Sequence, residues 1–384
     1  MRLFDRKRRS FSAAIGIVMM TVLLVACGSG NTGTTTTTTS TPASVNGKGC
    51  TKVGILLPET ASSARWDSKD KPLLIKDITA ALPAGSPTPD YNNAGGDSAV
   101  QQSQAQADLT KGDCILIVAA HDSAAAAAIV TAAKAQNVPV IAYDRLIQSK
   151  DLAYYVSFDN VKVGQLQGQY IADHYKSYVS AGHNNLVMIS GSQTDNNALL
   201  FSQGAHTALD PLISRGALKK VYEQFTPDWN NDTARTEMDG ALTAQQNNVQ
   251  IAYVANDGMA NSVIASLKAK KLNGKVLVTG QDATVAGIQN ILTGDQAMTV
   301  YKAITKEAQA AADLVKALNA GTDTASLTNG ATVKTADGTP IPSVLETPVA
   351  VDKTNIKSTV IADGFVTVAD VCQGLKSGTG GICP

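Results

Sequence analysis

Short runs of apolar, often β-branched residues alternate along this chain with longer segments whose apolar positions recur at helical spacing. Continuous apolar runs of this length predict strands buried in parallel sheets, and the segments between them predict helices that cover the sheets. Strands are predicted at 52–58, 87–92, 114–119, 138–142, 153–158, 185–190, 219–225, 250–255, 275–279, 297–300 and 343–349. The βαβα alternation therefore predicts an α/β fold with parallel sheets that are covered by helices on both faces.

The intervening helices are predicted from residues with helical apolar spacing and from polar capping residues at their starts. They cover 67–82, 97–112, 122–136, 161–179, a segment that ends near 215, 232–245, a segment between 255 and 275, 285–292 and 305–318. The 384 residues, of which 44% are hydrophobic, allow two domains. We expect one lobe from 50–157 plus 284–319, a second from 158–283 plus 320–384, and a cleft between them.

Polar residues follow six of the predicted strands within a few positions of their carboxyl ends. Any one of these clusters has a simpler explanation as a helix N-cap or a solvated loop, and this holds in particular for Asp257. Parallel sheets, however, direct such ends to one rim, where ligands bind in open α/β folds. The clusters are Arg65-Trp66, Asp144-Arg145, Asp195-Asn196-Asn197, Asn256-Asp257, Gln281-Asp282 and Lys302.

The residue types in these clusters suit a neutral polyol. Planar carboxylate, amide and guanidinium groups engage two hydroxyls at once, and hydroxyls both donate and accept hydrogen bonds. The two tryptophans of the chain, Trp66 and Trp229, both lie in these polar loops. A loop tryptophan is commonly a packing anchor, but this placement favours stacking on the apolar face of a sugar ring.

Charge and motifs argue against several other functions. The 32 basic residues balance 32 acidic ones, which gives no reason to expect nucleic acid or an anionic membrane surface as partner. The four histidines are far apart and no spacing resembles a metal site, so no cofactor is expected. Asp282 together with Asp257 or Asp144 has the residue types of the paired catalytic carboxylates of a glycosidase. Because nucleophile-elbow and P-loop motifs are also missing from the sequence, we expect a binding protein and not an enzyme.

The amino-terminal segment predicts export. Several basic residues precede an apolar stretch at 13–26, which ends in Leu-Val-Ala before Cys27. This pattern predicts a signal peptide over 1–26, and its last residues resemble a bacterial lipobox, which implies lipidation of Cys27. Residues 27–49 are rich in Gly, Ser and Thr and predict a flexible tether. The G-x-G-x-x-G match at 28–33 lies in this tether and follows no strand, so it does not indicate a dinucleotide site.

The four remaining cysteines are Cys50, Cys114, Cys372 and Cys383. Export permits disulfides, and four cysteines allow three pairings. If the strands that follow Cys50 and Cys114 are neighbours, their spacing suits a bond between these two residues. Cys372 and Cys383 would then close a Gly-rich loop at the carboxyl terminus.

Six motifs, in this order, carry a specific resemblance: VIAYDR, YYVSFDN.KVG, DNNA, ND, GQDA.VAGI and MTVYK. They resemble the D-xylose-binding group of type I periplasmic binding proteins, the receptors of bacterial ABC importers, over about 52–365. The resemblance implies two Rossmann-like lobes that are joined by a three-strand hinge and close on a monosaccharide. The contacts it implies are Arg65, Trp66, Asp144, Arg145, Asp195, Asn197, Trp229, Asn256, Asp282 and Lys302.

The resemblance also implies the partners and the location. We expect a monomeric, lipid-anchored receptor outside the cytoplasm that delivers sugar, D-xylose first and D-glucose second, to an ABC permease. The loop at 59–64, an insert at 84–89, the segment 321–340 and the cysteine-containing tail depart from the enteric pattern. A sensor that presents sugar to a membrane kinase or chemoreceptor is an alternative. A repressor-type effector domain is another, which the signal sequence and the lack of a helix-turn-helix segment disfavour.

Overall fold

The computed structural model describes residues 47–384; the predicted signal peptide, Cys27 and the tether up to residue 46 lie outside them. The strands are β1 (Val53–Leu57), β2 (Asp90–Asn93), β3 (Ile115–Val118), β4 (Val140–Tyr143), β5 (Tyr154–Phe158), β6 (Asn185–Ser190), β7 (Lys219–Phe225), β8 (Ile251–Val254), β9 (Leu277–Val278), β10 (Met298–Tyr301), β11 (Thr332–Lys334), β12 (Pro340–Glu346) and β13 (Val349–Asp352). The α-helices are α1 (Lys71–Ala81), α2 (Ser98–Lys111), α3 (Ala127–Ala135), α4 (Asn160–His174), α5 (Asn196–Ser214), α6 (Asn231–Ala244), α7 (Asp257–Ala269), α8 (Val285–Thr293), α9 (Ile304–Ala320), α10 (Ala325–Thr328) and α11 (Val368–Cys372).

The first sheet has seven strands in the order β11-β12-β5-β4-β3-β1-β2. Every neighbouring pair is parallel except β11 with β12. The central strands β1, β3 and β4 are buried along their whole length, as expected for apolar strands covered on both faces. One face packs against α1 and α9 and the other against α2 and α3.

The second sheet has four parallel strands in the order β7-β6-β8-β9. Beyond β9 the backbone N–H of Val300 in β10 donates to the Gly280 carbonyl, and β10 pairs antiparallel with β13. Helices α4 to α7 supply the remaining apolar side chains of this core. Helices α4 and α5 approach closely at Gly164 and Gly204, where a Cβ atom would lie 1.9 Å from the Phe201 carbonyl oxygen and 2.0 Å from that of Val161.

The chain passes between the two sheets three times: after β5, between β10 and α9, and between β12 and β13. The first and third passages are joined, because the backbone N–H of Asp159 donates to the Glu346 carbonyl at 3.0 Å. Two segments pack with a different sheet from the one that the predicted lobe bounds imply. Strand β12 pairs with β5 of the first sheet, and α8 and β10 pack with the second. Strand and helix alternation alone does not specify which sheet a late element joins; the lobe bounds remain a prediction.

One predicted strand and one predicted helix are each divided in the structure, and two disulfide bonds are present. The predicted strand at 343–349 is two strands, β12 and β13, on either side of Thr347-Pro348. The predicted helix at 67–82 consists of a π-helical turn, Trp66–Asp70, followed by α1. Disulfides join Cys50 to Cys114, beside the neighbouring strands β1 and β3, and Cys372 to Cys383, with Cα–Cα distances of 5.5 and 5.3 Å. Within residues 47–384, no helix has both the length and the apolar character needed to cross a membrane.

Candidate functional site

Loops that follow strands of both sheets converge on one cavity. The ten contacts proposed from the sequence all line it, with four further residues that were not among those ten. From the first sheet come the residues after β1 and β4, from the second those after β6, β7, β8 and β9, and Lys302 follows β10 beside the second sheet. The full lining is Ser62, Ser63, Arg65, Trp66, Asp144, Arg145, Asp195, Asn197, Phe201, Trp229, Asn256, Gln281, Asp282 and Lys302.

Asp144 is paired with two cationic side chains in this cavity. One carboxylate oxygen accepts from Arg65 Nη1 at 2.8 Å and from Lys302 Nζ at 3.1 Å, and the other accepts from Asn197 Nδ2 at 3.1 Å. Burial by itself would raise the pKa of Asp144, but the positive charges of Arg65, Lys302 and Arg145 outweigh it and hold the pKa below its usual value. Asp144 is therefore an anion at neutral pH.

Arg65 is held from behind by two carboxylates that the sequence analysis did not propose. Its Nε and Nη2 donate to the two oxygens of Asp70 at 2.9 and 2.7 Å, and Nη2 also donates to Glu307 Oε2 at 3.0 Å. Asp70 and Glu307 are fully buried. Burial and the nearby charge of Asp144 raise the pKa of Glu307 well above its usual value. This bidentate arrangement fixes the plane of the guanidinium group.

Asp195 connects the loops of the two sheets. Its Oδ1 accepts from the backbone N–H of Asn197 at the start of α5. Its Oδ2 accepts from Arg145 Nε at 2.9 Å and from Trp229 Nε1 at 3.1 Å. Because Arg145 follows β4 and Asp195 follows β6, this ion pair bridges the first and second sheets.

Asp282 lies in a loop that the neighbouring Asp257 holds in place. Asp282 has a φ of 98°, which is strained for a residue with a Cβ atom. Asp257 accepts from the backbone N–H of Thr284 at 2.8 Å and from Thr299 Oγ1 at 2.9 Å, and burial raises its pKa to about 7. The cap of α7 is Asn256, whose Oδ1 accepts from Met259 N. Asp257 thus supports the loop, and Asn256 is both cap and cavity residue.

The two tryptophans lie at different parts of the cavity wall. The guanidinium carbons of Arg65 and Arg145 lie 4.6 and 5.2 Å from the centre of the Trp66 ring. Trp66 Nε1 donates to Glu59, which also accepts from Ser62 and so orders the loop after β1. Trp229 packs edge-on against Phe201 at 6.2 Å between ring centres.

Comparison with known proteins identifies the family. The model of the periplasmic binding protein domain matches residues 53–323. The chain belongs to this family. It is 41% identical to the D-xylose-binding periplasmic protein of Haemophilus influenzae over 72% of this chain and 80% of that one. It is 38% identical to the D-xylose-binding periplasmic protein of Escherichia coli over 71% and 80%.

A solved structure shows that the relationship extends to the three-dimensional fold. It is the carbohydrate transporter solute-binding protein of Chloroflexus aurantiacus, in complex with D-glucose. The TM-score is 0.72, with 30% identity, and the match covers 83% of this chain and 97% of that one. The type I periplasmic binding protein fold expected from the sequence motifs is therefore confirmed. The family consists of solute-binding receptors and not of enzymes.

The cavity chemistry agrees with a periplasmic binding protein. Asp144 is ionised and bonded to two cations, so it has no proton to donate as a general acid. The charged side chains instead hold one another in fixed positions, and their donors and acceptors can orient a polar ligand. Three lining residues were not found from the sequence, and a fourth, Gln281, was named only as a neighbour of Asp282. Ser62 and Ser63 belong to the loop after β1, and Phe201 lies within α5, where its helical spacing marks only a core position.

Proposed function

We propose that this periplasmic binding protein is an extracytoplasmic receptor for a monosaccharide, D-xylose first and D-glucose second, which it delivers to an ABC permease. The observation that carries the proposal is the buried set of alternating charges around Asp144. Arg65, Lys302 and Asn197 converge on this carboxylate, and Asp282 lies 3.7 Å from Lys302 Nζ. Such a set offers fixed acceptors and donors to adjacent hydroxyls of one sugar ring.

Energetic reasoning supports a neutral polar ligand. The ion pairs are compensated within the cavity, so a ligand with its own net charge would leave one buried charge unpaired, which is costly. Hydroxyls add hydrogen bonds to oxygens that still have lone pairs, and bonds to charged groups contribute about 1.5–3 kcal/mol each. A ring bearing a hydroxyl at every carbon uses most of these groups.

The arrangement of the lining supports a single ring. Fourteen residues from loops of both sheets surround one small cavity, which does not have the form of a long oligosaccharide groove. Xylose differs from glucose by one hydroxymethyl group, so discrimination depends on the shape of nearby loops. The loop ordered by Glu59 holds Ser62 and Trp66 at the cavity wall. Relatives described as D-xylose-binding support xylose, and the D-glucose complex of the Chloroflexus protein supports glucose as the second candidate.

The proposed binding mode includes closure of the two sheets on the sugar. Both sheets contribute cavity residues, so the complete set of partners exists only when the loops are together. The Arg145–Asp195 ion pair and the hydrogen bond from Ser123 N to the Thr194 carbonyl, at 2.9 Å, support a closed arrangement of these loops. A smaller radius of gyration with sugar than without it is the expected scattering result.

The decisive experiment is calorimetry of the purified protein with pentoses, hexoses, ribose and a disaccharide. We expect D-xylose to bind most tightly, with D-glucose next. Asp282→Ala should weaken binding by roughly 2–5 kcal/mol, because the ligand hydroxyls and Lys302 lose a buried partner. Asp239→Ala in α6, at a position that does not line the cavity, is the matched control. Absence of any monosaccharide binding below about millimolar would overturn the proposal.

We also propose that the protein is a monomer anchored through lipid on Cys27, with the tether predicted at 27–49. The Gly-, Ser- and Thr-rich composition supports a tether, since such a sequence has little apolar surface to bury. Cys27→Ser, expressed in the native host, should move the protein from the detergent phase to the aqueous phase. Retention of the variant in the detergent phase would exclude this anchor.

A further inference from the structure

Three aspartates meet at the edge of the first sheet formed by the amino ends of its strands, away from the sugar cavity. Asp90 begins β2, Asp108 lies in the last turn of α2, and Asp113 precedes β3. One carboxylate oxygen from each lies within 4.8 Å of the others. Asp108 and Asp113 are buried, with 0% and 2% of their surface exposed, and Asp90 is partly exposed.

Asp113 is the member of this cluster that has a buried carboxylate oxygen without a hydrogen-bond donor in the described part of the chain. Its Oδ2 is shielded from solvent and has no hydrogen-bond partner among residues 47–384. Asp108, in contrast, accepts from Asn92 at 2.8 Å and from Lys111 at 3.1 Å. A buried carboxylate without a donor is stable only if it is protonated or if a cation lies beside it.

The backbone below the cluster leaves room for these oxygens. At Gly54 in β1, a Cβ atom would lie 2.9 Å from Asp113 Oδ2 and 3.0 Å from Asp108 Oδ2. Both oxygens therefore point to the same place above Gly54, where any larger residue would displace them. The two buried carboxylates are thus aimed at a common point and are not merely near each other.

The charged groups around the cluster leave it with excess negative charge. Lys111 Nζ lies 3.1 Å from Asp108 and 3.7 Å from Asp90, but half of its side chain is exposed, so it can move aside. Lys52, the other nearby cation, directs its Nζ to the Lys111 carbonyl. Burial and the charges of Asp90 and Asp108 raise the pKa of Asp113 to about 7, although Lys111 and Lys52 oppose this.

We propose that Asp90, Asp108 and Asp113 form a binding site for a hard divalent cation, calcium in the first place. Carboxylate oxygens are the ligands that calcium and magnesium prefer. Oxygens bound to one calcium ion at about 2.3–2.6 Å lie within roughly 5 Å of one another, as these three do. Water would complete the coordination. The ion would hold β2, α2 and β3 together beside the Cys50–Cys114 disulfide, and this role is independent of sugar binding.

Protons compete with the ion for the same oxygens. A carboxylate binds the cation only after it has lost its proton, so affinity should be lower at pH 6 than at pH 8. Three carboxylates and no further charged ligand resemble the weak extracellular calcium modules, for which dissociation constants are roughly 10⁻⁴–10⁻³ M. The site would then be filled at millimolar calcium.

The test is calorimetric titration of the chelator-treated protein with CaCl₂ and MgCl₂ at pH 8 and pH 6, together with thermal unfolding at equal ionic strength. We expect one ion per chain, weaker binding at pH 6, and a higher unfolding temperature with the ion than with NaCl. Asp113→Asn should weaken binding roughly tenfold or more, because ligand charge sets the affinity of such sites. Asp90→Asn, at the partly exposed member, is a second variant that should fold readily.

Asp173→Asn on the exposed surface of α4 is the matched control and should bind the ion like the unchanged protein. If MgCl₂ binds and raises the unfolding temperature but CaCl₂ does not, the cluster is still a cation site and its preferred ion is magnesium. The proposal is overturned if neither salt binds or raises the unfolding temperature beyond NaCl. It is also overturned if both cluster variants bind like the control; the cluster then contains a proton in place of the ion.

Discussion

Buried carboxylates occur at both ends of the seven-stranded sheet, but in opposite electrostatic situations. At the carboxyl ends, Asp144 is bonded to Arg65 and Lys302, and its pKa lies below the usual value. At the amino ends, Asp113 accepts no hydrogen bond from the described residues at its buried oxygen, and its pKa is raised to about 7. Burial raises the pKa in both places; neighbouring cations outweigh it at Asp144, whereas the negative charges of Asp90 and Asp108 add to it at Asp113.

Removing Arg65, a buried cation at the carboxyl ends of the strands, should have the largest effect on stability. Arg65→Met leaves Asp70, Asp144 and Glu307 buried, with Lys302 and Arg145 as the remaining nearby cations. The expected loss is roughly 3–5 kcal/mol in the free energy of unfolding at pH 7, with loss of sugar binding. Urea unfolding and calorimetry measure the two effects.

Lys134→Met is the matched control for this variant. It breaks an ion pair with Asp151 at the surface, where the lysine side chain is mostly exposed. Such pairs contribute about 0–1 kcal/mol, so this variant should unfold almost like the unchanged protein. Equal stability of the two variants would mean that the buried cation is not what distinguishes the carboxyl end.

A smaller effect is expected from adding one methyl group at the amino end. In Gly54→Ala the new Cβ would lie within 3.0 Å of Leu116, Asp113 and Asp108 side-chain atoms, which must shift. We expect a loss of roughly 1–3 kcal/mol in the free energy of unfolding, as for other overpacked sites.

Gly240→Ala supplies the control for Gly54→Ala. Gly240 lies in α6 with no atom within 4 Å of the position of a Cβ, so alanine should stabilise the helix by about 0.5–1 kcal/mol. If both alanine variants change stability in the same direction, the carboxylates above Gly54 are more mobile than the structure indicates.

The smallest effect concerns the pH dependence of stability. The pKa of Glu307 is raised in the folded protein, mainly by burial, so the folded state binds its proton more tightly than the unfolded state does. Stability should therefore fall as the pH rises above the unfolded value of about 4.5. Glu307→Gln should make this fall with pH shallower, because the glutamine side chain does not titrate. Asp313→Asn on the same helix should leave the pH profile unchanged, and an unaltered slope in Glu307→Gln would contradict the assignment.

Much of the fold could be predicted because buried parallel strands have a strong sequence pattern. Strands β6 and β7 have the bounds that the apolar pattern gave, and β1 and β3 differ by one residue at each end. Strand β11 was missed because Thr332–Lys334 is short and largely exposed, so it lacks an apolar pattern. The break between β12 and β13 follows from Pro348, which has no N–H to donate to a ladder.

The cavity loops were predictable for a topological reason, and the residues behind them were not. All ten proposed contacts follow strands, and the carboxyl ends of parallel strands meet. Asp70 and Glu307 instead lie on helical segments, where polar residues are common and carry no signal. Glu307 is also 242 positions from its partner Arg65, a pairing that a single sequence does not reveal.

Strand β12 imposes an order on the assembly of the chain. A polypeptide synthesised from its amino terminus presents β1 to β5 first, but the neighbour of β5 on its outer side is β12, which follows only after the second sheet. Until then β5 is an open edge, the part of a sheet most prone to pair with other chains. Closing so long a loop is slow. The first sheet thus gains its last strands, β12 and β11, late in the chain. A chaperone would be most useful before that point, while the edge of β5 is exposed.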